Sequence, residues 1–404
     1  MSGIPINKKN TQFRKYEGYF YILPAFIIIA VFGIYPLFYT LFISLHKWRI
    51  KKNAFIGLEN YRQIFGEGPG FVLVLGAVLL IGSSLLFREQ VMKRTRNRFI
   101  TEHRLRFIWQ NARTHWLLHV GFLTAGVMLM IFALPVLYRA GDQNMLDSLR
   151  VTIWYSMGSV PLQLAGGVYI AWLLNRKFTG KQFYRIVLLL PYIVPVVAGA
   201  AVFERLFSAR HESFANQLLI GLGMAPQEWL FESEGIFRIL FGAGGALSPA
   251  GIIGEYWNTW AEGPSLALVS ILFFSWWVYI GYYALIFTNG LSQIPKVLYE
   301  VAKVDGAPRH AVFFHIVLPL LRPTTYFLTL LGIIGTFKNF THIWVLRNNI
   351  IANAADPLSI YIFTIFFGRS RFGYASALSL ILLCIVLLLT VFQNRIMQRN
   401  SYDE

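Results

Sequence analysis

The sequence LSQIPKVLYEVAKVDGAPRHAVFFHIVLPLLRP, at Leu291–Pro323, separates two long apolar segments of the chain. Apolar residues recur at helical spacing in its first half, at Val297, Leu298, Val301 and Val304. Behind Pro295 this spacing predicts a short helix, which Gly306 would end. Pro308 suits the first position of a second helix, because its missing N–H costs little there. The stretch therefore predicts two short amphipathic helices in a polar loop on one side of a membrane.

This loop resembles the EAA loop of the inner-membrane permease subunits of bacterial ABC importers. The matching elements, in order, are Tyr299-Glu300-Val301-Ala302, Asp305-Gly306-Ala307 and Leu318-Pro319, with Pro323 beyond. Val301 departs from the second small residue of the family motif, and Ala302 keeps the third. The Ile-Pro before the motif and the Leu-Pro behind it are most similar to the carbohydrate-importer branch, the maltose-transporter type. The alternative is an ordinary cytoplasmic loop with incidental helices.

The composition is that of an integral membrane protein. Of 404 residues, 56% are hydrophobic and only 14% charged, and the mean hydropathy is +0.54. A soluble domain carries about a quarter charged residues. The formal charge of +17 is better explained by Lys and Arg in cytoplasmic loops than by nucleic-acid binding. The single cysteine, Cys384, excludes an internal disulfide and a Cys-based metal cluster.

Eight apolar segments are candidates for membrane spans. They are residues 19–45, 71–87, 116–137, 149–174, 186–207, 264–290, 324–346 and 374–392. Basic residues beside the first and last spans place both ends of the chain in the cytoplasm. The sequence thus predicts an all-α, polytopic membrane bundle. The family resemblance implies that six of these helices form a type I ABC importer core, and that the other two are an inserted hairpin.

We divide the chain accordingly, with every boundary taken from the sequence. The parts are a cytoplasmic N-terminus (1–18), a first core span with its outer loop (19–70), an inserted two-span hairpin (71–148), the core permease domain (149–396) and a cytoplasmic tail (397–404). Gly57-Leu58-Glu59-Asn60-Tyr61 resembles the segment that follows the first span in carbohydrate-importer permeases. The hairpin carries a strongly basic loop, which predicts a positive-inside anchor or, alternatively, contact with acidic lipid head groups. Residues 208–262 are comparatively acidic, which favours the outer face.

No enzyme motif is found in the sequence. A phosphate-binding P-loop would need a glycine where Asn175 stands and Ser or Thr where Gln182 stands. There is no H-E-x-x-H zinc motif and no dinucleotide fingerprint, so we expect no cofactor, no metal and no catalytic residue. The resemblance implies that a separate ATPase subunit hydrolyses ATP.

The resemblance also implies that the 291–323 loop couples the spans to that ATPase. The candidate coupling residues are Tyr299, Glu300, Ala302, Asp305, Gly306 and Ala307. Small residues allow close approach of a partner. Contact with the partner is favoured for Glu300 over capping of a local helix, whereas for Asp305 the two roles are equally supported.

Solute has to pass polar groups that face the interior of the bundle. In the span 324–346, Gly332, Gly335, Asn339 and His342 recur on one helical face, with Thr341 beside them. Asn339, Thr341 and His342 can hydrogen-bond sugar hydroxyls, although Gly and Asn also pack helices together. Trp276, Tyr279 and Tyr283 can stack on sugar rings, or belong to an interfacial belt or the core.

The resemblance implies a permease subunit of a sugar ABC importer in the bacterial inner membrane. Its expected partners are a second homologous permease, two ATPase subunits, an extracytoplasmic solute-binding protein and the lipid bilayer. Glycerol phosphate or another polar solute is an alternative cargo, because related importers share the loop. Rival functions are a self-sufficient secondary transporter, a membrane-embedded glycosyltransferase and a membrane scaffold. The near absence of Asp and Glu from the core spans counts against the first of these.

Overall fold

The computed structural model describes residues 21–99, 105–176, 179–242, 252–347 and 351–398, and these are mostly helical. The helices are α1 (Tyr21–Ser44), α2 (Glu59–Phe65), α3 (Pro69–Phe99), α4 (Leu105–Ala140), α5 (Gln143–Leu174), α6 (Lys181–Ile193), α7 (Val196–Leu206), α8 (Phe214–Gly221), α9 (Ile236–Phe241), α10 (Ile252–Ala261), α11 (Leu266–Ser292), α12 (Lys296–Val304), α13 (Arg309–Leu320), α14 (Arg322–Phe337), α15 (Thr341–Leu346), α16 (Ala352–Ala355), α17 (Leu358–Gly368) and α18 (Phe372–Gln398). Two short strands, β1 (His46–Trp48) and β2 (Lys52–Phe55), pair antiparallel. The predicted N-terminal segment and the last residues of the tail lie outside the described residues.

Five described helices are long and apolar enough to cross a membrane. They are α1, the Leu118–Ala140 part of α4, α5, α11 and the Phe372–Asn394 part of α18. Three bent pairs, α2–α3, α6–α7 and α13–α14, pass the same test when each pair is taken together. Counting each pair as one span gives eight, the number that the sequence predicts.

The break between α6 and α7 follows from a proline. Val194 has an extended conformation (φ −61°, ψ 137°), and the two helices meet at 91°. A residue before proline is driven out of the helical region, so Pro195 ends α6 at the preceding position. Pro191 remains inside α6. The sequence indicates a kink here, but not its sharpness.

The prediction of one helix over residues 324–346 is wrong. Helix α14 starts at Arg322 and ends at Phe337, and α15 starts only at Thr341. Between them Phe340 leaves the helical region, with φ −138° and ψ −60°. Asn339 therefore lies in a short non-helical break between α14 and α15.

Two segments expected to be loops contain regular structure. Residues 46–70 hold the β-ribbon and α2, and residues 208–262 hold α8, α9 and α10. Asn216, fully buried, organises the second segment. Its Oδ1 accepts hydrogen bonds from the Gln227 N–H (2.9 Å) and from Trp229 Nε1 (2.7 Å). Its Nδ2 donates to the carbonyls of Arg210 and Gln227, at 3.1 Å each.

The chain divides into two compact units, Met1–Tyr61 with Phe363–Leu383, and Arg62–Ile362 with Cys384–Glu404. In the first unit Asn60 fastens the end of α1 to the ribbon. Its Nδ2 donates to the carbonyls of Ser44 (2.7 Å) and His46 (3.3 Å). The Tyr61 hydroxyl lies 2.9 Å from Ser44 Oγ. The Asn-Tyr of the GLENY motif thus has a structural role.

In the second unit, small residues bring α5 and α11 together. A Cβ on Gly167 would lie 2.7 Å from Tyr283 Cβ, and one on Gly158 would lie 2.6 Å from a Leu272 methyl. Such close approach suits helix packing in lipid, where van der Waals contact replaces the hydrophobic effect. The two helices run in the same direction, because Gly158 of α5 meets Leu272 of α11 and Gly167 meets Tyr283, further along both.

The segment predicted as an inserted hairpin contains a tightly packed pair of long helices, α3 with 31 residues and α4 with 36. Small residues recur every seven positions on each helix, at Gly70, Ala77 and Ser84 and at Gly126 and Ala133. Ser84 Oγ lies 2.6 Å from Nδ1 of the buried His119. Helix α3 is predicted as an apolar span ending near Phe87, and it continues as a helix to Phe99.

Candidate functional site

The 291–323 loop has the two helices that its sequence predicts, α12 and α13. Gly306, with φ +68°, ends α12. The Ala307 N–H donates to the Ala302 carbonyl (2.9 Å) and the Gly306 N–H to the Lys303 carbonyl (3.2 Å). These two bonds are the Schellman pattern, which closes a helix on a left-handed residue. Pro308 precedes the second helix as its cap instead of filling its first position, so α13 starts one residue later than expected.

One face of α12 holds the helix against the bundle. Ala302 is buried there, and Tyr299 packs against a core cluster that includes Leu291, Ile294 and Val317. The Tyr299 hydroxyl is buried without a hydrogen-bond partner among the described residues. Burial raises the pKa of this hydroxyl. Ala302 and Tyr299 thus fix the orientation in which α12 leaves the membrane.

The opposite face of α12 is apolar and exposed. The exposed fractions are 62% for Val297, 38% for Leu298, 52% for Val301 and 86% for Val304. Helix α12 is therefore amphipathic, as expected, but its apolar stripe faces outward, away from its own chain. Glu300 and Asp305 are also exposed. An apolar stripe beside exposed carboxylates is typical of a surface that another protein covers.

A buried polar network lies in the middle of the second unit, centred on Tyr155 of α5. The Tyr155 hydroxyl accepts a hydrogen bond from Asn339 Nδ2 (2.7 Å) and lies 2.8 Å from His342 Nε2. It also lies 3.0 Å from Ser275 Oγ of α11. The Ser359 hydroxyl donates to the Asn339 carbonyl at 2.5 Å. The network therefore joins the break between α14 and α15 to α5, α11 and α17.

The network continues along α5 toward the 291–323 loop. Gln163 Nε2 donates to Ser159 Oγ (2.7 Å) and to Ser275 Oγ (3.0 Å). Ser159, Gln163 and Ser275 are all buried. Buried polar groups in membrane spans carry a high cost unless they are paired, so they are retained where function or packing needs them. This group is not among the residues predicted from the sequence, although Tyr155, Ser159 and Gln163 recur every four residues on one helical face.

The six candidate solute-binding residues have different environments. His342 and Tyr283 are buried, Asn339, Trp276 and Tyr279 are half-buried, and Thr341 is exposed. The structure brings Asn339 and His342 together, with His342 Nε2 3.1 Å from Asn339 Nδ2. Trp276 Nε1 donates to the Gly158 carbonyl at 2.9 Å. Tyr279 meets Tyr192 edge to face, with the ring centroids 6.1 Å apart.

Among the described residues, no group of three or more His, Cys, Asp or Glu side chains is arranged to hold a metal ion. Two carboxylates of the second unit instead pair with arginines. Asp147 pairs with Arg150 at 3.3 Å and Asp356 with Arg347 at 2.5 Å.

Comparison with known proteins gives a family. The sequence profile of the "binding-protein-dependent transport system inner membrane component" family matches residues 163–402. The chain is 23% identical over 396 residues to "Probable ABC transporter permease protein YurN" of Bacillus subtilis, covering 96% of this chain and 99% of that one. It is 24% identical over 376 residues to the trehalose/maltose transport system permease protein MalF of Thermococcus litoralis, covering 93% and 91%. The arabinooligosaccharides transport system permease protein AraP of Bacillus subtilis is 26% identical over 260 residues, covering 64% of this chain and 70% of AraP.

A solved structure shares the fold. A chain of a bacterial ABC transporter that imports the acidic polysaccharide alginate superposes with a TM-score of 0.52. The sequences are 18% identical, and the match covers 72% of this chain and 98% of the other. This likeness supports the fold of the core.

Proposed function

Because the chain belongs to the family of binding-protein-dependent transport system inner membrane components, we propose that it pairs with a second homologous permease to enclose the path of a sugar importer. The relatives named above are permeases of ABC systems for trehalose and maltose and for arabinooligosaccharides. Another relative belongs to an sn-glycerol-3-phosphate system. On that basis we propose that this chain transports a sugar or a sugar-like solute.

The outward apolar stripe of α12 carries the proposal. Val301 and Val304 occupy the outer face of a helix that projects from the membrane, where water would otherwise cover them. A groove on an ATPase subunit would bury this stripe, and Glu300 and Asp305 would meet basic groups at its edge. Tyr299 and Ala302 hold α12 to the spans. Movement of the ATPase would thereby be transmitted to α11 and α13.

Within this loop, Gly306 and Ala307 set the turn that fixes the angle between α12 and α13. One ATPase subunit would dock on this loop and a second on the corresponding loop of the partner permease. ATP hydrolysis would take place in those subunits. This chain would then need no cofactor and no metal of its own.

For the solute path, we propose that Asn339 and Thr341 contact the solute directly. Asn339 is half-buried in the break between α14 and α15, where its side-chain amide is placed by the polar network. His342, whose Nε2 lies within hydrogen-bond distance of Tyr155 and Asn339, would hold Asn339 in place. Tyr279 and Trp276 would border the path, while the buried Tyr283 packs against Gly332.

The chain is a multi-pass inner-membrane protein, and we propose that both ends lie in the cytoplasm with the 291–323 loop. The segment with α8, α9 and α10 lies near the start of α11, whereas the loop follows the end of α11. That segment would therefore face outward and receive a solute-binding protein.

Co-purification from native membranes tests this function. We compare the intact chain with a variant that carries Glu300→Arg and Asp305→Arg. An ATPase and a second permease should accompany the intact chain, and only the ATPase should be lost from the variant. Should no ATPase accompany the intact chain under conditions that keep other importers whole, the importer proposal fails. Transport by vesicles containing the chain alone would then favour a secondary transporter.

A further inference from the structure

A group of aromatic and charged side chains lies at the end of the second unit that is remote from α12. We name it the aromatic cluster; its members are Tyr138, Asp147, Arg150, Trp154, Phe237, Tyr256, Trp257 and Trp260. They come from α4, α5, α9 and α10. Arg150 precedes Ala171 by 21 residues on the same helix, and Ala171 packs in one cluster with Leu291 at the start of the 291–323 loop. At 1.5 Å per residue the two levels are about 30 Å apart.

The rings of the cluster form a continuous row of contacts. The Trp154 centroid lies 6.1 Å from that of Trp260 and 6.0 Å from that of Phe237. Trp257 continues the row, 6.2 Å from Trp260. Trp257 Nε1 also donates to the Ile131 carbonyl at 3.2 Å, which fastens α10 to α4 of the inserted hairpin.

A charged pair stands beside these rings. Arg150 Nη2 lies 3.3 Å from Asp147 Oδ1, and the Tyr138 hydroxyl donates to Asp147 Oδ2 at 3.3 Å. The Tyr256 ring lies beside that of Tyr138, with the ring centroids 5.2 Å apart. The pair is neutral overall, so the cluster offers no net charge to a ligand.

Three hydrogen-bond donors in the cluster have no acceptor. Arg150 Nη1, Trp154 Nε1 and Trp260 Nε1 are buried, and none has a partner within the described part of the chain. Arg150 and Trp154 are four residues apart, so they lie on the same face of α5. A buried donor without an acceptor destabilises the folded state, and two together on one face call for an oxygen atom from outside the described residues.

We propose that the aromatic cluster is a saccharide subsite at which solute is held before it enters the path between the permeases. Hydroxyl and ring oxygens of a sugar would accept from Arg150 Nη1 and Trp154 Nε1. A sugar hydroxyl can donate to Asp147, and the apolar face of the sugar ring suits the neighbouring indoles. The neutral Asp147–Arg150 pair favours an uncharged saccharide over an anion. The assignment of a sugar rests on the proposed function.

The subsite also gives the inserted hairpin a role. Tyr138 and the Ile131 carbonyl belong to α4, the second helix of that hairpin. They orient Asp147 and Trp257, respectively. Without α4 the charged pair would lose one of its partners and α10 would lose its anchor.

Equilibrium binding to the full chain in lipid nanodiscs tests the subsite. The probes are radiolabelled maltotriose, trehalose, arabinotriose and sn-glycerol 3-phosphate. The test variant carries Arg150→Lys and Trp154→Phe, which keeps the charge and an aromatic ring, removes the indole N–H, and replaces the planar guanidinium with a single ammonium that cannot bond Asp147 and a sugar in the same geometry. We expect it to bind the sugar probe about tenfold more weakly, because one hydrogen bond is lost and a second is misaligned. Glycerol phosphate should bind more weakly than a neutral sugar.

The matched control carries Trp172→Phe and Arg176→Lys. These residues form the same pair of types at the other end of α5, with the Arg176 guanidinium 4.4 Å from the Trp172 ring centroid. The control should bind as the intact chain does. Trp260→Phe provides a second test variant, and all variants are checked for unchanged yield and melting temperature.

Equal binding by the test variant and the intact chain would overturn the subsite, and the cluster would then hold ordered water only. Failure of every probe to bind at millimolar concentration would overturn it as well. ATPase co-purification separates this result from the proposed function. If no sugar binds while the ATPase still co-purifies, only the subsite proposal fails. If the ATPase is absent while sugar still binds, only the proposed function fails.

Discussion

Gly306 ends α12 with a backbone angle that other residues adopt only under strain. Its φ of +68° lies in the left-handed region, and a Cβ at this position would meet no atom within 4 Å. The need for glycine is therefore conformational and not a matter of space. The sequence predicts this stop correctly, because a glycine after a run of helical residues is a strong local signal.

Gly306→Ala should weaken coupling without unfolding the protein. The left-handed angle costs an alanine about 1–2 kcal/mol, which is enough to shift the turn between α12 and α13. We expect solute-stimulated ATP hydrolysis by the reconstituted transporter to fall severalfold. Gly221→Ala is the control, since Gly221 has ordinary helical geometry and open space around it. Equal activity of the two variants would show that the angle of this turn does not matter for coupling.

Asp356 is a second residue whose environment decides its chemistry. It is buried beside Arg347, and burial raises its pKa to about 6 although the Arg347 guanidinium lowers it. Its Oδ1 has no partner among the described residues, whereas Oδ2 accepts from Arg347. The sequence gives no hint of this pair, because the two residues meet only through the packing of the segment before α17.

The raised pKa predicts that this carboxyl makes the protein less stable as the pH rises. Between the unfolded value of 3.8 and the folded value of about 6, the folded state binds more protons than the unfolded state. Stability from this group is therefore complete below pH 3.8 and is lost as the pH rises through about 6. As the pH rises from 3.8 to about 6, the melting temperature of the intact chain should decrease relative to that of Asp356→Asn at the same pH. A difference that is constant with pH would contradict the assignment.

At the scale of elements, α12 shows that periodicity predicts a helix but not which side it buries. The four apolar residues of its stripe would normally indicate a core-facing side. In this loop the core contact is made instead by Tyr299 and Ala302, and the stripe faces outward. Only a partner surface would make both faces of such a helix apolar, and that information lies in the complex rather than in the local sequence.

Val301→Glu with Val304→Glu should release the ATPase. The two carboxylates would be buried in the docking groove, where an unpaired charge is costly. We expect at least a tenfold loss of ATPase in co-purification, with the second permease retained. Leu222→Glu is the control, because Leu222 is an equally exposed apolar residue after α8, at 67% exposure. Undiminished recovery of the ATPase with the double variant would remove α12 as the docking helix.

The breaks in the spans were predictable only where proline causes them. Pro195 explains the end of α6, whereas no proline or glycine lies at the break between α14 and α15. That break is held by distant groups, namely Tyr155 and Ser359, through their bonds to Asn339. The helices of residues 208–262 depend in the same way on Asn216, whose partners are up to 13 residues away.

For the whole molecule, the sequence predicts the order of the spans, and also their number when each bent pair of helices counts as one span. Long apolar segments and the charges between them are local signals. A membrane requires apolar segments of this length to be helical and favours basic loops on its inner side, so these signals are reliable. The polar network and the aromatic cluster depend instead on contacts between residues that are distant in sequence. Tyr155 and His342 are 187 residues apart in sequence, and Trp257 and Ile131 are 126 apart. Such groups can be found only when the helices have been packed together.

The packing separates the two ends of the second unit, and the orientation of these ends in the membrane can be measured. Helices α5 and α11 are parallel, so the aromatic cluster and α12 lie at opposite ends of the second unit. If α12 meets an ATPase in the cytoplasm, then residues 208–242 have to face outward. In a background with Cys384→Ser, Leu222→Cys should react with a membrane-impermeant maleimide on intact cells from which any outer membrane has been stripped. Val304→Cys should react only after the membrane is opened, because its position is exposed on the inner side. Labelling of Val304→Cys before opening would reverse the topology, and with it the assignment of α12 to the ATPase and of the aromatic cluster to incoming solute.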